Sequence, residues 1–228
     1  MATTLVVCES PWTDRKGRFA RWSMRPFVEG ICELNHVRLI YRTFSTRSEL
    51  TTLLGGEAFD NITGRTIVYI AAHGRGGRLA LGRTGDRAVN LATVAQWLRR
   101  GVEGVWLGCC DLGSSQSLKE FLKYRGGALW AGGYECAVDW APSMLVDIAV
   151  LQEVTGSSRI VGRRGALRVF KRALTGFSPL WLVGVNRHED RATLGGAIRL
   201  VARDRVQGAR VEDISQELRD RLNWNGKI

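Results

Sequence analysis

The sequence predicts an α/β protein built on a mostly parallel sheet. Short apolar runs alternate along the chain with segments of helical spacing, and a strand–helix–strand alternation is typical of a parallel sheet because each crossover returns the chain to the same edge. The chain has 228 residues, 45% of them hydrophobic, and only four prolines. It is therefore long enough to bury one large core.

The predicted strands are apolar runs of four to seven residues, which is the length typical of strands buried on both faces. Several end at glycines or at a charged residue. In chain order they are residues 5–8, 38–41, 66–72, 105–108, 127–133 and 179–185.

The predicted helices are segments whose apolar residues recur every three or four positions. In chain order they are residues 19–34, 48–54, 91–98, 114–124 and 144–154. Pro26 is expected to interrupt the first, and Gly55-Gly56 to stop the second. Residues 74–85, with five glycines and three arginines, predict a loop or small hairpin.

We expect one domain, residues 1–186, followed by a segment of different composition. Residues 1–186 hold all the predicted strands. Residues 187–228 are charged, and from residue 193 onward we expect an appended helical segment that packs on the same domain.

Two predicted strands end in reactive residues. Residues 66–72 run into His73-Gly74, and residues 105–108 run into Cys109-Cys110. If these strands are parallel neighbours, their carboxyl ends lie at one sheet edge, where open α/β sheets place their sites. An imidazole beside a thiol is the pair from which a cysteine nucleophile is built.

Successive side chains of a strand point to opposite faces, so if Cys110 faces the cleft, Cys109 faces the core. We assign Cys110 as the nucleophile and keep Cys109 as the alternative. The five cysteines include this adjacent pair, which fits neither a disulfide framework nor a structural zinc site. We expect reduced thiols.

The residues 72–74, Ala-His-Gly, and 107–113, Leu-Gly-Cys-Cys-Asp-Leu-Gly, resemble the signature of the caspase-like cysteine peptidases, and among them that of the CHAT peptidases. Residues 127–139 and 180–184 resemble two later CHAT strands, so the resemblance covers residues 1 to about 186. It implies a caspase-like three-layer α/β/α sandwich with a mostly parallel central sheet. It also implies a cysteine endopeptidase that needs no metal or cofactor, acts on protein or peptide substrates, and awaits a partner protein or ligand for activation.

The resemblance also implies roles for single residues. His73 and Cys110 form the catalytic dyad, and the backbone N–H groups of Gly74 and Cys110 form the oxyanion hole. Asp139, with Glu135 near it, receives a basic P1 side chain. Asp139 has an alternative interpretation as the N-cap of the next helix.

Caspases instead bind an aspartate P1 through arginines. Arg75, Arg78 and Arg83 in the glycine-rich loop are the candidates for that alternative, and the sequence does not separate the two preferences.

The net charge of +11 could attract nucleic acid, an anionic surface or an acidic protein. Six basic residues lie between Arg159 and Arg172 without an acid among them. A solvated helix face is the simpler interpretation, since only one aromatic residue, Phe170, is interleaved for base stacking.

Two other functions stay open beside the peptidase. One is a catalytically silent caspase-like module whose basic face binds nucleic acid or an acidic protein; the other is a non-peptidase hydrolase or transferase that uses the same thiol. The sequence has no signal-like leader and no apolar run near the ~20 residues that span a bilayer. A cytoplasmic location is the expectation.

Overall fold

The computed structural model describes residues 2–11, 22–56, 59, 62–81, 88–124, 128–206 and 208–224. Its helices and strands follow in chain order. They are β1 (Thr3–Glu9), α1 (Arg25–Leu34), β2 (Arg38–Thr43), α2 (Arg47–Gly55), β3 (Arg65–Ala72), β4 (Gly74–Arg75), β5 (Arg78–Leu79), β6 (Val89–Asn90), α3 (Leu91–Trp97), β7 (Val102–Cys109), α4 (Ser115–Tyr124), β8 (Trp130–Tyr134), β9 (Ala137–Val138), α5 (Trp140–Gly156), α6 (Gly162–Leu174), β10 (Leu182–Val185), β11 (Arg191–Thr193), α7 (Leu194–Ala197), β12 (Ile198–Ala202), β13 (Glu212–Asp213) and α8 (Ser215–Arg221).

The central sheet has seven strands in the order β13-β12-β8-β7-β3-β1-β2. The five strands from β8 to β2 are parallel to one another. At the other end of this order, β12 pairs antiparallel with β8, and β13 pairs antiparallel with β12 at the edge of the sheet. The predicted α/β class with a mostly parallel sheet is confirmed.

Two hydrophobic cores lie on the two faces of this sheet, and alternate residues of each strand feed them. In β1, Leu5 and Val7 join the core beneath α1, α5, α6 and α8. Val6 and Cys8 join the core beneath α2, α3 and α4. Strands buried on both faces explain why the sequence reads as continuous apolar runs. The result is a three-layer α/β/α sandwich.

Glycines in the middle strands make room for two buried tryptophans. A Cβ at Gly104 would lie 1.9 Å from the ring of Trp130, and one at Gly132 would lie 2.5 Å from the ring of Trp106. Each tryptophan ring therefore fills the space beside a glycine of the neighbouring strand. Phe170 of α6 packs on both rings.

The structure corrects several boundaries. Pro26 does not interrupt a helix: it lies in the first turn of α1, where the missing N–H costs nothing. The helix expected over residues 144–154 spans Trp140–Gly156. The strand expected over residues 179–185 is only β10, and it belongs to a separate three-stranded sheet with β9 and β11.

The expectation that the chain is helical from residue 193 onward is wrong. Residues 198–202 form β12, which pairs antiparallel with β8 inside the central sheet. Four of its five residues are apolar, and pairing with β8 over a long sequence separation buries these four. Within the described ranges, none of the helices is long and apolar enough to cross a membrane.

Candidate active site

Strands β3 and β7 bring the two reactive residues together. They are parallel neighbours, with Ala72 opposite Cys109 in the register. His73 and Cys110 each follow directly, so both lie at the carboxyl edge of the sheet and at the same level. The predicted juxtaposition of these two strand ends is confirmed.

The two adjacent thiols lie in different environments. Cys109 is fully buried in the core beneath α2, α3 and α4, and its thiol donates to the carbonyl oxygen of Ile70 at 3.1 Å. Burial raises its pKa well above the ordinary value. Cys110 is partly exposed. Of the two, Cys110 is the thiol that a substrate can approach.

A sharp turn follows Cys110 and holds its thiol among backbone groups. Asp111 has φ 57°, in the left-handed region that aspartate tolerates better than most residues. The N–H of Val138 donates to the Cys110 sulfur at 3.3 Å, and the N–H of Gly74 donates to it as well. The sulfur therefore already faces two backbone donors.

Gly74 is required by close packing at this turn. A Cβ there would lie only 1.8 Å from the carbonyl oxygen of Cys110, so no larger residue fits without moving the backbone. The glycine thereby keeps its N–H beside the thiol. His73 precedes it directly, which fixes both groups on one short stretch of chain.

Burial shifts both members of the pair towards their neutral forms. Desolvation raises the pKa of Cys110, although the N–H groups of Val138 and Gly74 oppose that shift. Desolvation lowers the pKa of His73. At neutral pH the resting pair is therefore a thiol and a neutral imidazole, an arrangement in which the imidazole can accept the proton as the sulfur attacks.

The two predicted acids differ in their partners. Glu135 is ion-paired with Arg199 at 2.6 Å. Asp139 is exposed and lies at the N-terminus of α5, but its side chain makes no capping hydrogen bond. Its charge contributes to the raised pKa of Cys110, after desolvation and Asp111. Asp139 thus lies within electrostatic reach of the thiol.

Two of the three arginines proposed to bind an aspartate P1 lie within the described residues. Arg75 and Arg78 lie opposite each other in the register of the β4–β5 hairpin, which begins at Gly74, directly after His73. Both side chains are exposed. The expected hairpin in residues 74–85 is thus present as far as Leu79. Arg83 lies outside the described residues.

Sequence reasoning missed a buried carboxylate behind the site. Asp147 of α5 accepts hydrogen bonds from Trp106 Nε1 at 2.6 Å, from Tyr69 at 2.7 Å and from Tyr134 at 2.8 Å. Burial raises its pKa to about 6, while these three donors oppose the shift. It packs against Gly108, where a Cβ would meet its Oδ2 at 2.6 Å. The signal was a single acid inside the apolar run 144–151.

Two solved structures are similar to this chain over 96% of its length. A secreted C11 cysteine protease from Bacteroides thetaiotaomicron, "iotapain", superposes with a TM-score of 0.55 at 11% identity, covering 96% of this chain and 68% of that one. The chain has the caspase-like fold of the C11 cysteine proteases. A second structure of a secreted C11 protease from that organism, in complex with an irreversible peptide inhibitor, gives a TM-score of 0.51 at 13% identity with the same coverage.

No protein-family model and no curated protein sequence matches the chain. The likeness at this low identity concerns the fold, and it extends to caspase-like C11 proteases rather than to CHAT peptidases in particular. The closer resemblance to CHAT peptidases stays a prediction.

Proposed function

We propose that this protein is a caspase-like cysteine endopeptidase with Cys110 as nucleophile and His73 as its acid–base partner. The observation that carries the proposal is the register of β3 and β7, which sets the two residues side by side at the carboxyl edge of the sheet. The fold supports it, because the neighbours with the same fold are cysteine proteases.

In the proposed reaction, His73 takes the thiol proton as the Cys110 sulfur attacks the scissile carbonyl carbon. The negative charge that develops on the carbonyl oxygen is stabilised by the N–H groups of Gly74 and Cys110. His73 then gives its proton to the leaving amine, which leaves a thioester on Cys110. Water, deprotonated by His73, hydrolyses the thioester and restores the free thiol.

A basic P1 residue is the proposed preference, with Asp139 as the acid that receives it. Asp139 is exposed and within electrostatic reach of Cys110, and among the described residues no cation is ion-paired with it. Glu135 is the weaker candidate because Arg199 already neutralises it.

We further propose that a partner protein or ligand activates the enzyme. The Cys110 thiol lies against Val138 of β9, and burial raises its pKa. The raised pKa gives a thiol of low reactivity at rest, and the contact with Val138 narrows the access to it, although the Val138 N–H itself lowers the pKa. A movement of β9 away from the thiol would expose it to a substrate.

The test is covalent labelling by an acyloxymethyl ketone with a P1 arginine, beside a matched probe with a P1 aspartate, followed by peptide mass spectrometry. The proposal predicts a label on Cys110 that the P1 arginine probe delivers and that His73→Ala abolishes. Labelling of Cys109, or labelling independent of His73, would contradict the dyad.

A matched pair of variants tests the P1 acid. Asp139→Asn should weaken labelling by the P1 arginine probe about ten-fold or more, the scale of one charge-assisted contact. Glu135→Gln should leave it nearly unchanged. Preference for the P1 aspartate probe in the wild type would instead favour arginines such as Arg75 and Arg78.

A further inference from the structure

A large basic cavity lies at the opposite edge of the sheet from the candidate active site. Its volume is about 1000 Å³. Arg65 and Glu103, at the starts of β3 and β7, lie in its wall, whereas His73 and Cys110 follow the other ends of the same two strands. The cavity is therefore separate from the dyad by the full length of these strands.

Cations outnumber carboxylates in the wall of this cavity. Six basic side chains and two acidic ones line it. The basic ones are Arg65, Lys123, Arg159, Arg203, Arg205 and Arg210. They come from four separate stretches of the chain, so the fold gathers them rather than a local run of sequence.

The two carboxylates in the wall already have hydrogen-bond partners. Glu103 Oε1 is 2.7 Å from Arg65 Nε and also accepts the N–H of Ile160 at 3.1 Å. Asp204 Oδ1 accepts the backbone N–H of Arg163 at 3.1 Å, at the start of α6. Glu103 is also 3.8 Å from Arg159 Nε, and Asp204 lies beside Arg203 and Arg205 in the chain, but the cations still outnumber the carboxylates in the wall.

Three cations of the wall lack a carboxylate partner in the described part of the chain, whereas Arg203 Nε donates to the carbonyl oxygen of Ala128 at 2.9 Å. Among the described residues, no carboxylate is ion-paired with Lys123, Arg205 or Arg210. Arg203 is partly buried, and that burial lowers its pKa. In addition, the buried Nη2 of Arg65 and the buried Oε2 of Glu103 each have no hydrogen-bond partner within the described part of the chain. A concave surface with this excess of cations attracts anions.

We propose that this cavity binds a small, multiply charged phosphate compound, such as a polyphosphate or a phosphate ester. Guanidinium groups donate two parallel hydrogen bonds to phosphate oxygens, and several of them converge here. The volume lies at the upper end of the range of small-molecule sites. The site is distinct from the proposed peptidase function and does not depend on it.

A small ligand fits the geometry better than a nucleic acid strand. Strand-binding grooves combine basic residues with aromatic side chains on which bases stack, and no tryptophan, tyrosine or phenylalanine lines the cavity as described. Arg164 and Arg168 of the basic stretch on α6 are exposed but do not line it. The cavity, rather than α6, is the concave basic surface.

The test is isothermal titration of the full chain with inorganic tripolyphosphate at physiological ionic strength, using two variants matched in charge. Arg205→Gln/Arg210→Gln removes two cations from the cavity. Arg164→Gln/Arg168→Gln removes two from α6. All four side chains are exposed, so both variants should fold, which circular dichroism checks.

We expect the wild type to bind, the cavity variant to bind about ten-fold or more weakly, and the α6 variant to keep the wild-type dissociation constant. Lys123→Gln, which acts from α4, should also weaken binding and replaces the double variant if that fails to fold. Equal weakening by both double variants would mean diffuse charge attraction and overturn the proposal. So would an absence of tripolyphosphate binding, or binding only of a single-stranded oligonucleotide that depends on Arg164 and Arg168.

Discussion

Gly74→Ala is a sharp perturbation of the proposed oxyanion site. The new Cβ would lie 1.8 Å from the Cys110 carbonyl oxygen, whereas real Cβ atoms stay beyond 3.0 Å from such neighbours. The two backbone segments must therefore part by about 1 Å, a displacement on the scale that costs roughly 100-fold in rate. The same movement pulls the Gly74 N–H away from the Cys110 sulfur, and loss of one oxyanion donor costs about 100- to 1000-fold.

The assay is kcat/KM for a fluorogenic peptide with a P1 arginine, measured on folded protein. Gly74→Ala should lower it by about 100-fold or more. Gly30→Ala is the matched control, because a Cβ at this exposed position of α1 meets nothing within 4 Å and alanine favours the helix. If Gly74→Ala kept activity comparable to that of Gly30→Ala, the assignment of Gly74 to the site would be refuted.

Three further predictions concern titration and stability. Because burial raises the pKa of Cys110 and lowers that of His73, the rate of Cys110 alkylation by iodoacetamide should keep rising with pH beyond the range of an ordinary thiol; a plateau reaching down to neutral pH would indicate a stored thiolate instead. Burial raises the pKa of Asp147 to about 6, so between about pH 4 and that value the folded chain holds a proton that the unfolded chain releases. This contribution makes the free energy of unfolding fall as pH rises through that window, and urea titrations should find the slope missing in Asp147→Asn; an unchanged slope would contradict it. Glu103→Gln leaves a buried arginine uncompensated and should cost about 3–5 kcal/mol of unfolding free energy, whereas Glu212→Gln, in an exposed pair, should cost about 1 kcal/mol or less; equal costs would contradict the buried pair.

The reactive strand ends could be predicted because their signals are local. An apolar run predicts a buried strand, and the residue that follows it must lie at the sheet edge. The alternation of side chains along β7 likewise predicted that Cys109 faces the core, and the structure confirms that it is buried there. Both inferences needed only the order of neighbouring residues.

The features that sequence reasoning missed depend on distant contacts. Strand β12 joins the sheet by pairing with β8, some 65 residues earlier, and the charged residues around it suggested helix and surface. Asp147 is tolerated in the core only because Tyr69, Trp106 and Tyr134 converge on it from other elements. The basic cavity is likewise assembled from separate stretches of chain. No local pattern encodes such convergence.

The most direct test compares Cys110→Ala with Cys109→Ala in cleavage of a peptide with a P1 arginine, after any activating ligand or partner has been supplied. The assignment predicts that Cys110→Ala abolishes cleavage while the fold persists. It predicts that Cys109→Ala keeps most activity, because this thiol is buried away from the cleft. Turnover retained by Cys110→Ala, or lost only in Cys109→Ala, would contradict Cys110 as the nucleophile.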